Sequence, residues 1–177
     1  VLGGTFSSRL NMNLREAKNW TYGASARYTA WDGGAYLSAG ASVQVDATGP
    51  AIAEFLAEFA RLRAADLTPE EDQKARRSLA HRVVEAAAST GGLCEIAATQ
   101  ARLGLELADL SRLLEAAQTP RLEAQLALAP RAFRPELLLL VGDRARVWPQ
   151  LEALSAAGRL DLALLTELDP DGLPLTR

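Results

Sequence analysis

The strongest constraint on the fold is a two-residue alternation between positions 35 and 46. Small or aliphatic side chains occupy every odd position, namely Ala35, Leu37, Ala39, Ala41, Val43 and Val45. Successive side chains of a strand point to opposite faces, so this stretch predicts a strand with one covered face and one polar face. It follows Trp31-Asp32-Gly33-Gly34, where Asp-Gly is typical of a two-residue turn, and a Tyr-, Ala- and Thr-rich stretch at 22–30. We therefore expect a β-hairpin.

A helix is predicted before this hairpin, over residues 7–18. Apolar side chains recur about one helical turn apart, at Phe6, Leu10, Leu14 and Ala17. Such spacing places them on one helix face, and Ser7 or Ser8 is a suitable N-cap. Asn19 can end the helix. Asn11, Asn13 and Trp20 are interpreted as solvated or packing residues.

Several helices are predicted after the hairpin. Gly49-Pro50 opens one with an apolar face at Ile52, Phe55, Leu56, Phe59 and Leu62. Thr68-Pro69-Glu70-Glu71 has the pattern of a capping box, and its helix is expected to reach Ala88 and stop at Gly91-Gly92. Further helices are expected at 93–103, 108–118 and, after Thr119-Pro120, at 121–128.

The last third of the chain mixes both periodicities. Pro130 and Pro135 are expected to break the helical run before a short buried strand at 136–141. Asp143 can cap a helix whose apolar residues are Val147, Leu151 and Leu154. A final strand at 161–168 is expected before the turn Asp169-Pro170-Asp171-Gly172. The element order predicts a single α+β domain over 1–177, an antiparallel-rich sheet with a layer of helices on one face.

Charge and hydropathy narrow the possible partners. The chain has 19 basic and 22 acidic side chains and a net charge of −3. Phosphate-binding surfaces carry a basic excess, so we expect no nucleic-acid partner. The longest aliphatic run, residues 137–141, is far shorter than the roughly 20 residues of a membrane span.

Catalytic and metal-binding motifs are missing. The only histidine is His81, interpreted as a surface helix residue, and the only cysteine is Cys94, interpreted as an inert core residue. Zinc peptidases use two His ligands and a carboxylate, commonly as H-x-x-E-H or H-E-x-x-H, and neither motif occurs. A Cys94–His81 dyad is the less favoured alternative. We expect no catalytic residue and no metal in this chain.

The segment 2–24 carries a specific combination. Gly-Gly is followed by Ser-Arg-Leu, then Leu-Arg-Glu, an aromatic residue and Tyr-Gly, within LGGTFSSRLNMNLREAKNWTYGA. This pattern resembles the C-terminal half of pitrilysin/insulinase-type zinc metallopeptidases, the inverzincins, in their bacterial and mitochondrial-processing-peptidase-like branch. Weaker matches to that family occur at Gly49-Pro50, Thr68-Pro69-Glu70-Glu71, Val141-Gly142-Asp143 and Asp169-Pro170-Asp171-Gly172.

The resemblance implies a function. In this family two homologous halves form a clamshell, and a separate H-x-x-E-H half binds zinc and hydrolyses the peptide. The metal-free half supplies an Arg and a Tyr to the substrate, and the matching residues here are Arg15 and Tyr22. The expected partners are therefore a catalytic half, on the same or another chain, and a peptide.

The resemblance also leaves questions open. The family's C-terminal half begins with strands and a helix before Gly-Gly, so we expect this chain to lack them and to self-associate through an open sheet edge. Two alternatives are a non-peptidase, core-type structural subunit of the same fold and a generic α+β interaction domain. The compartment stays unknown, although a bacterial relative would favour the periplasm.

Overall fold

The computed structural model describes residues 1–119, 122–169 and 171–174. A short π-helix (Asn11–Ala17) precedes the hairpin strands β1 (Thr21–Trp31) and β2 (Gly34–Val43). Six helices follow: α1 (Thr48–Arg63), α2 (Pro69–Ala87), α3 (Thr90–Arg102), α4 (Leu107–Gln118), α5 (Leu122–Ala132) and α6 (Arg144–Ala156). Short 3-10 turns lie at Val45–Ala47 and Leu162–Leu164. The predicted α+β class is confirmed.

The predicted hairpin is confirmed. β1 and β2 pair antiparallel from Thr21↔Val43 to Trp31↔Gly34, around the two-residue loop Asp32-Gly33. Gly33 has a φ of 84°, which glycine adopts without a Cβ clash, as primed hairpin turns require. A bulge between Thr21 and Ala24 interrupts the register where the π-helix meets the strand.

The odd positions of β2 cover the main core, as predicted. Ala39, Ala41 and Val43 pack with β1 residue Ala24 over a cluster of buried side chains. That cluster also contains Leu2, Leu10, Leu14, Ala51 and Leu62, from the N-terminal segment and α1. One face of the hairpin thus packs in part against the N-terminal segment and α1, and its polar face is exposed.

A second core joins α1 to α6. Ile52 packs with Val147, Leu151 and Leu154, which confirms the predicted apolar face of α6. Asp143 caps α6 by accepting a hydrogen bond from the Ala145 amide at 3.0 Å, also as predicted.

The middle helices follow the predicted order with different boundaries. The Thr68–Glu71 capping box at the start of α2 is confirmed. The predicted stop at Gly91-Gly92 is wrong: α2 ends at Ala87, and both glycines lie in the first turn of α3, which Ser89 caps. Pro130 lies inside α5 instead of ending it. The predicted helix start at Pro120 and Arg121 lies outside the described residues, as does Pro170 of the last predicted turn.

Both strands predicted in the last third of the chain are wrong. Residues 136–141 have no regular secondary structure and are exposed, and residues 161–168 contain the 3-10 turn Leu162–Leu164 and a single bridge between Leu168 and Pro174. A strand exists only where a neighbour accepts and donates its backbone hydrogen bonds, and apart from that single bridge no neighbour pairs with these segments within the described ranges. None of the described helices is both long and apolar enough to span a bilayer.

Candidate functional site

The candidate site is built on the π-helix that enters β1. Leu10 and Leu14 are fully buried beneath it, at 0% exposure. Its last turn has the wide hydrogen bonding of a π-helix, since the Lys18 amide donates to the Asn13 carbonyl at 3.1 Å. Asn19 then takes a positive φ of 53° and ends the helix, as predicted. π-helical turns are rare and frequently occur at functional sites.

The predicted apolar stripe on this helix is only half correct. Phe6 is 76% exposed, and Ala17 is exposed as well. Residues 3–8 form turns instead of a helix, so Phe6 lies off the helix face that Leu10 and Leu14 bury.

Of the two predicted N-caps, Ser8 directly precedes the first helical residue, Arg9, and its carbonyl accepts from the Met12 amide at 2.9 Å. Its Oγ accepts from the Asn11 side chain at 3.2 Å instead of from a backbone amide.

Asn11 anchors the helix to the edge of β1, a role that the sequence interpretation missed. The side chain is buried at 5% exposure. Its Oδ1 accepts from the Ala24 amide at 2.8 Å, and its Nδ2 donates to the Ala24 carbonyl at 2.8 Å. The side-chain amide therefore occupies the place of a neighbouring strand residue.

Gly3 extends this edge pairing by one residue pair. Its carbonyl accepts from the Ala26 amide at 3.0 Å. A Cβ at position 3 would lie 2.6 Å from the Ala26 nitrogen, so only glycine allows the chain to approach β1 this closely. The N-terminal segment thus fixes the start of β1, where Tyr22 lies.

We expect Asn11→Ala to lower the free energy of unfolding by about 2 kcal/mol, because the buried Ala24 amide and carbonyl lose their partners. Asn13→Ala is the matched control, because the two partners of the Asn13 side chain, the Glu54 carboxylate at 2.7 Å and the Lys18 ammonium at 2.6 Å, are partly exposed and keep their contact with each other. Urea unfolding followed by circular dichroism measures both variants. Equal stability of the two variants would contradict the anchoring role.

Arg15 lies on the π-helix with its side chain 34% exposed. Its guanidinium stacks over the Phe6 ring, with 4.7 Å between the guanidinium carbon and the ring centroid. The nearest carboxylate is that of its chain neighbour Glu16, with Nε and Oε1 3.6 Å apart. The aromatic contact positions the guanidinium while leaving its hydrogen-bond donors available, because stacking uses the planar face.

Tyr22 is the second residue of β1 and is completely exposed, at 101%. Thr21, the residue before it, is buried and donates from Oγ1 to the Ser42 carbonyl at 2.7 Å. The strand therefore holds the Tyr22 backbone while the phenol extends into solvent.

Arg15 and Tyr22 are both exposed on the helix-to-strand connection, but the predicted convergence on one point stays a prediction. No hydrogen bond or ring contact joins their side chains in the described part of the chain. Arg15 offers a guanidinium fork to solvent from the π-helix, and Tyr22 offers a phenol hydroxyl from the start of β1.

Lys18 and Asn13 tie the end of the π-helix to α1. Burial would raise the pKa of Glu54, but hydrogen bonds from Lys18 and Asn13 outweigh it and lower this pKa below its ordinary value. Lys18 Nζ lies 2.7 Å from Glu54 Oε1, and Lys18 also stacks over the Trp20 ring at 5.2 Å. Trp20 is thus a packing residue, in agreement with the sequence interpretation.

A second polar anchor, also missed from the sequence, centres on Arg9. Its guanidinium is 9% exposed and donates from Nε and Nη2 to the Glu71 carboxylate, each at 2.6 Å. Nη2 also donates to the Asp66 carbonyl at 2.5 Å, and Nη1 lies 3.7 Å from Glu58. Arg9 hence fastens the N-terminal segment to the corner between α1 and α2.

His81 and Cys94, the two other candidate reactive residues, both lie exposed on helices. His81 is exposed, as predicted, and its Nδ1 lies 3.2 Å from Glu85. Cys94 is exposed, so its interpretation as a core residue is wrong: α3 buries none of its residues. No group of three or more potential metal ligands occurs among the described residues.

Comparison with known proteins gives two findings. Residues 1–79 match the family model described as the peptidase M16 inactive domain. The fold matches the crystal structure of a peptidase M16 inactive domain from Pseudomonas fluorescens, with a TM-score of 0.64 and 22% sequence identity. That match covers 75% of this chain and 32% of the solved chain, so this chain spans about a third of its length. No curated protein matches the sequence.

The family match includes every anchor of the candidate site. Gly3, Arg9, Asn11, Glu58 and Glu71 all lie within the matched residues, together with Arg15 and Tyr22. Over residues 1–79 the sequence is thus similar to the peptidase M16 inactive domain, and the fold is similar to that of a solved domain with the same description.

Proposed function

We propose that this domain grips the peptide substrate of a zinc-dependent M16 peptidase whose hydrolytic chemistry resides in a separate H-x-x-E-H half. The complete exposure of Tyr22, on a strand that the buried residues Thr21 and Ala24 hold in place, is the observation that carries this proposal. A large side chain held in solvent by a rigid strand contributes little to packing, so another molecule is the natural partner of its hydroxyl.

The proposed role of Tyr22 is transition-state stabilisation. In peptide hydrolysis the carbonyl oxygen gains negative charge as water attacks the carbonyl carbon. A phenol hydroxyl can donate a hydrogen bond to that oxygen, and a donor positioned before the reaction needs no reorganisation during it. In this proposal the zinc ion and the water-activating carboxylate belong to the partner half.

The proposed role of Arg15 is ground-state binding. A guanidinium offers five N–H donors and no acceptor, which suits peptide carbonyl oxygens. The Phe6 ring beneath it limits the number of side-chain conformations that binding must freeze. The exposed Phe6 ring could also contact an apolar side chain of the peptide.

We expect Arg15→Ala to raise KM about tenfold in the reconstituted peptidase, with kcat changed less, because a contact made equally in the ground and transition states affects binding alone. Steady-state kinetics with a fluorogenic peptide measure both constants, using the catalytic half that the parent or a neighbouring gene encodes. Arg63→Ala, at the exposed end of α1, is a matched control that removes an arginine elsewhere.

The same experiment separates the proposal from a purely structural role. If Arg15 only held Phe6 in place, Arg15→Ala would lower the melting temperature and leave KM unchanged in the folded fraction. Unchanged KM and unchanged stability would contradict both roles.

A further inference from the structure

The strand β1 contains one extra residue at its start. Two of its residues, Tyr22 and Gly23, lie opposite the single residue Ser42 of β2, whereas the register is regular from Ala24 to the turn. An extra residue on one strand is a β-bulge, and bulges are common beside active sites, where they change the direction of a side chain. The bulge of this protein lies at Tyr22, to which the proposed function assigns a hydrogen bond in the transition state.

The bulge determines the face of the hairpin on which Tyr22 lies. The turn sets the register, and if that register continued past Ala24, Tyr22 would lie opposite Val43. Side chains alternate along a strand, so Tyr22 would then share the covered face with Ala24. Instead Thr21 and Ala24 are both buried, at 8% and 7% exposure, and the two residues between them are exposed. The extra residue therefore turns the phenol away from the core.

The Thr21 hydroxyl stabilises this bulge. Its Oγ1 accepts from the Gly23 amide at 3.1 Å. It also donates to the Ser42 carbonyl at 2.7 Å, and the Gly23 carbonyl lies 2.9 Å from the same oxygen. Because a bulge interrupts the backbone ladder, its amides and carbonyls need other partners. A hydroxyl is both donor and acceptor, so one buried side chain serves backbone groups of both strands.

Thr21 and Asn11 hold the two ends of the bulge. The Asn11 amide bonds the N–H and the C=O of Ala24, immediately after the bulge. Thr21 lies immediately before it and bonds residue 23 across Tyr22. The Tyr22 side chain is 101% exposed and packs on neither of them. Thr21 thus influences the phenol through the backbone alone.

We propose that Thr21 is a positioning residue: its hydroxyl fixes the bulge and thereby orients the Tyr22 phenol toward the peptide carbonyl. This inference rests on the proposed function of Tyr22 and adds the group on which the direction of its hydroxyl depends. A donor stabilises an oxyanion only when it is placed before the reaction, and a misplacement of about 1 Å can cost about 10²-fold in rate. Thr21 itself is buried and does not contact the substrate.

Thr21→Val keeps the shape of the side chain and removes its hydroxyl. In the reconstituted peptidase we expect kcat of this variant to fall about tenfold, with KM within about twofold of its original value. Thr21→Ser keeps the hydroxyl and should retain kcat within about twofold. Thr48→Val is the matched control, because Thr48 is also buried and donates from Oγ1 to the Val45 carbonyl at 2.8 Å, away from the bulge. Its kcat and KM should be unchanged.

A second pair of variants breaks the same contact from its other end. Gly23→Pro removes the amide that donates to Thr21, and proline is tolerated at bulges, so kcat should again fall about tenfold. Gly23→Ala keeps the amide, and its Cβ would lie 3.7 Å from Asn11 Oδ1, an ordinary contact. The alanine variant should therefore turn over normally. This pair tests the inference even if Thr21→Val does not fold.

The double variant Thr21→Val/Tyr22→Phe separates positioning from a loss of folded protein. Without a phenol hydroxyl to orient, Thr21→Val should lower kcat by no more than about twofold, whereas a smaller folded fraction would lower it equally in both backgrounds. An equal, roughly tenfold loss in both backgrounds would overturn the inference. Lowered kcat in Tyr22→Phe with normal kcat in Thr21→Val and Gly23→Pro would overturn it while the proposed function stands. Normal kcat in Tyr22→Phe would refute the role of Tyr22 and this inference together.

Discussion

Replacing Tyr22 by Phe should lower kcat about 10²-fold in the reconstituted peptidase and leave KM within about twofold of its original value. The substitution removes one oxygen from a side chain that is 101% exposed, so packing is unchanged. If the hydroxyl donates to the developing oxyanion, its loss affects the transition state alone. Loss of a single oxyanion donor typically costs 10²- to 10³-fold in kcat.

The matched control for this experiment is Tyr28→Phe. Tyr28 lies on the same strand β1 and is 70% exposed, so the same atom is removed from a comparable position. Turnover of this variant should equal that of the unmodified protein, and thermal melting of both variants should be unchanged. Normal kcat in Tyr22→Phe would refute the proposed role and leave the fold assignment intact.

The elements that could be predicted from the sequence are those that short-range rules determine. The hairpin follows from Asp32-Gly33 and from an alternation that spans the whole of β2. The start of α2 follows from the Thr68 capping box, and α6 follows from Asp143 and the spacing of Val147, Leu151 and Leu154. Each of these signals is local, because turns, caps and faces involve residues close together in the chain.

The errors occur where distant partners decide the structure. Residues 136–141 have the composition of a buried strand, yet a strand forms only if another segment lies alongside it. The structure instead places an open groove between this run and β2. No pattern within the segment itself can show whether its neighbour is present.

The candidate site was only partly predictable. Arg15 and Tyr22 were identified through the resemblance of residues 2–24 to a peptidase family, and the structure adds their exposure and the Phe6 contact. The anchors Asn11 and Arg9 were missed, because their partners lie 13 to 62 residues away in the chain. The sequence offered one signal for each of them: Arg9 and Asn11 are polar residues directly beside Leu10, a position that the apolar spacing predicts to be buried.

The largest expected loss of stability follows from removing Arg9. We expect Arg9→Ala to lower the free energy of unfolding by about 4 kcal/mol, since breaking a buried ion pair by deleting one partner typically costs 3–5 kcal/mol. The guanidinium is 9% exposed, and its loss leaves the Glu58 carboxylate at 7% exposure with Arg61 as its remaining cation. Arg9→Lys should recover only part of this stability, because an ammonium cannot make the two parallel bonds to Glu71.

Acid should remove much of the difference in unfolding free energy between the unmodified protein and the Arg9→Ala variant. The hydrogen bond from Arg9 is the largest cause that lowers the pKa of Glu71 below its ordinary value, although burial opposes it. A carboxyl whose pKa is lowered by folding stabilises the protein above its unfolded pKa, about 4.3 for Glu, and loses that contribution as pH falls through the folded value. Urea unfolding at pH 7 and at successively lower pH values below 4 should therefore show the two stabilities approaching each other. Arg112→Ala is the control: this arginine is 75% exposed and, among the described residues, pairs with Asp109 alone, so its loss should cost under about 1 kcal/mol. A difference for Arg9→Ala as small as that of the control, or one that stays constant down to pH 2, would show that the N-terminal segment is held by Leu10, Leu14 and Asn11 alone.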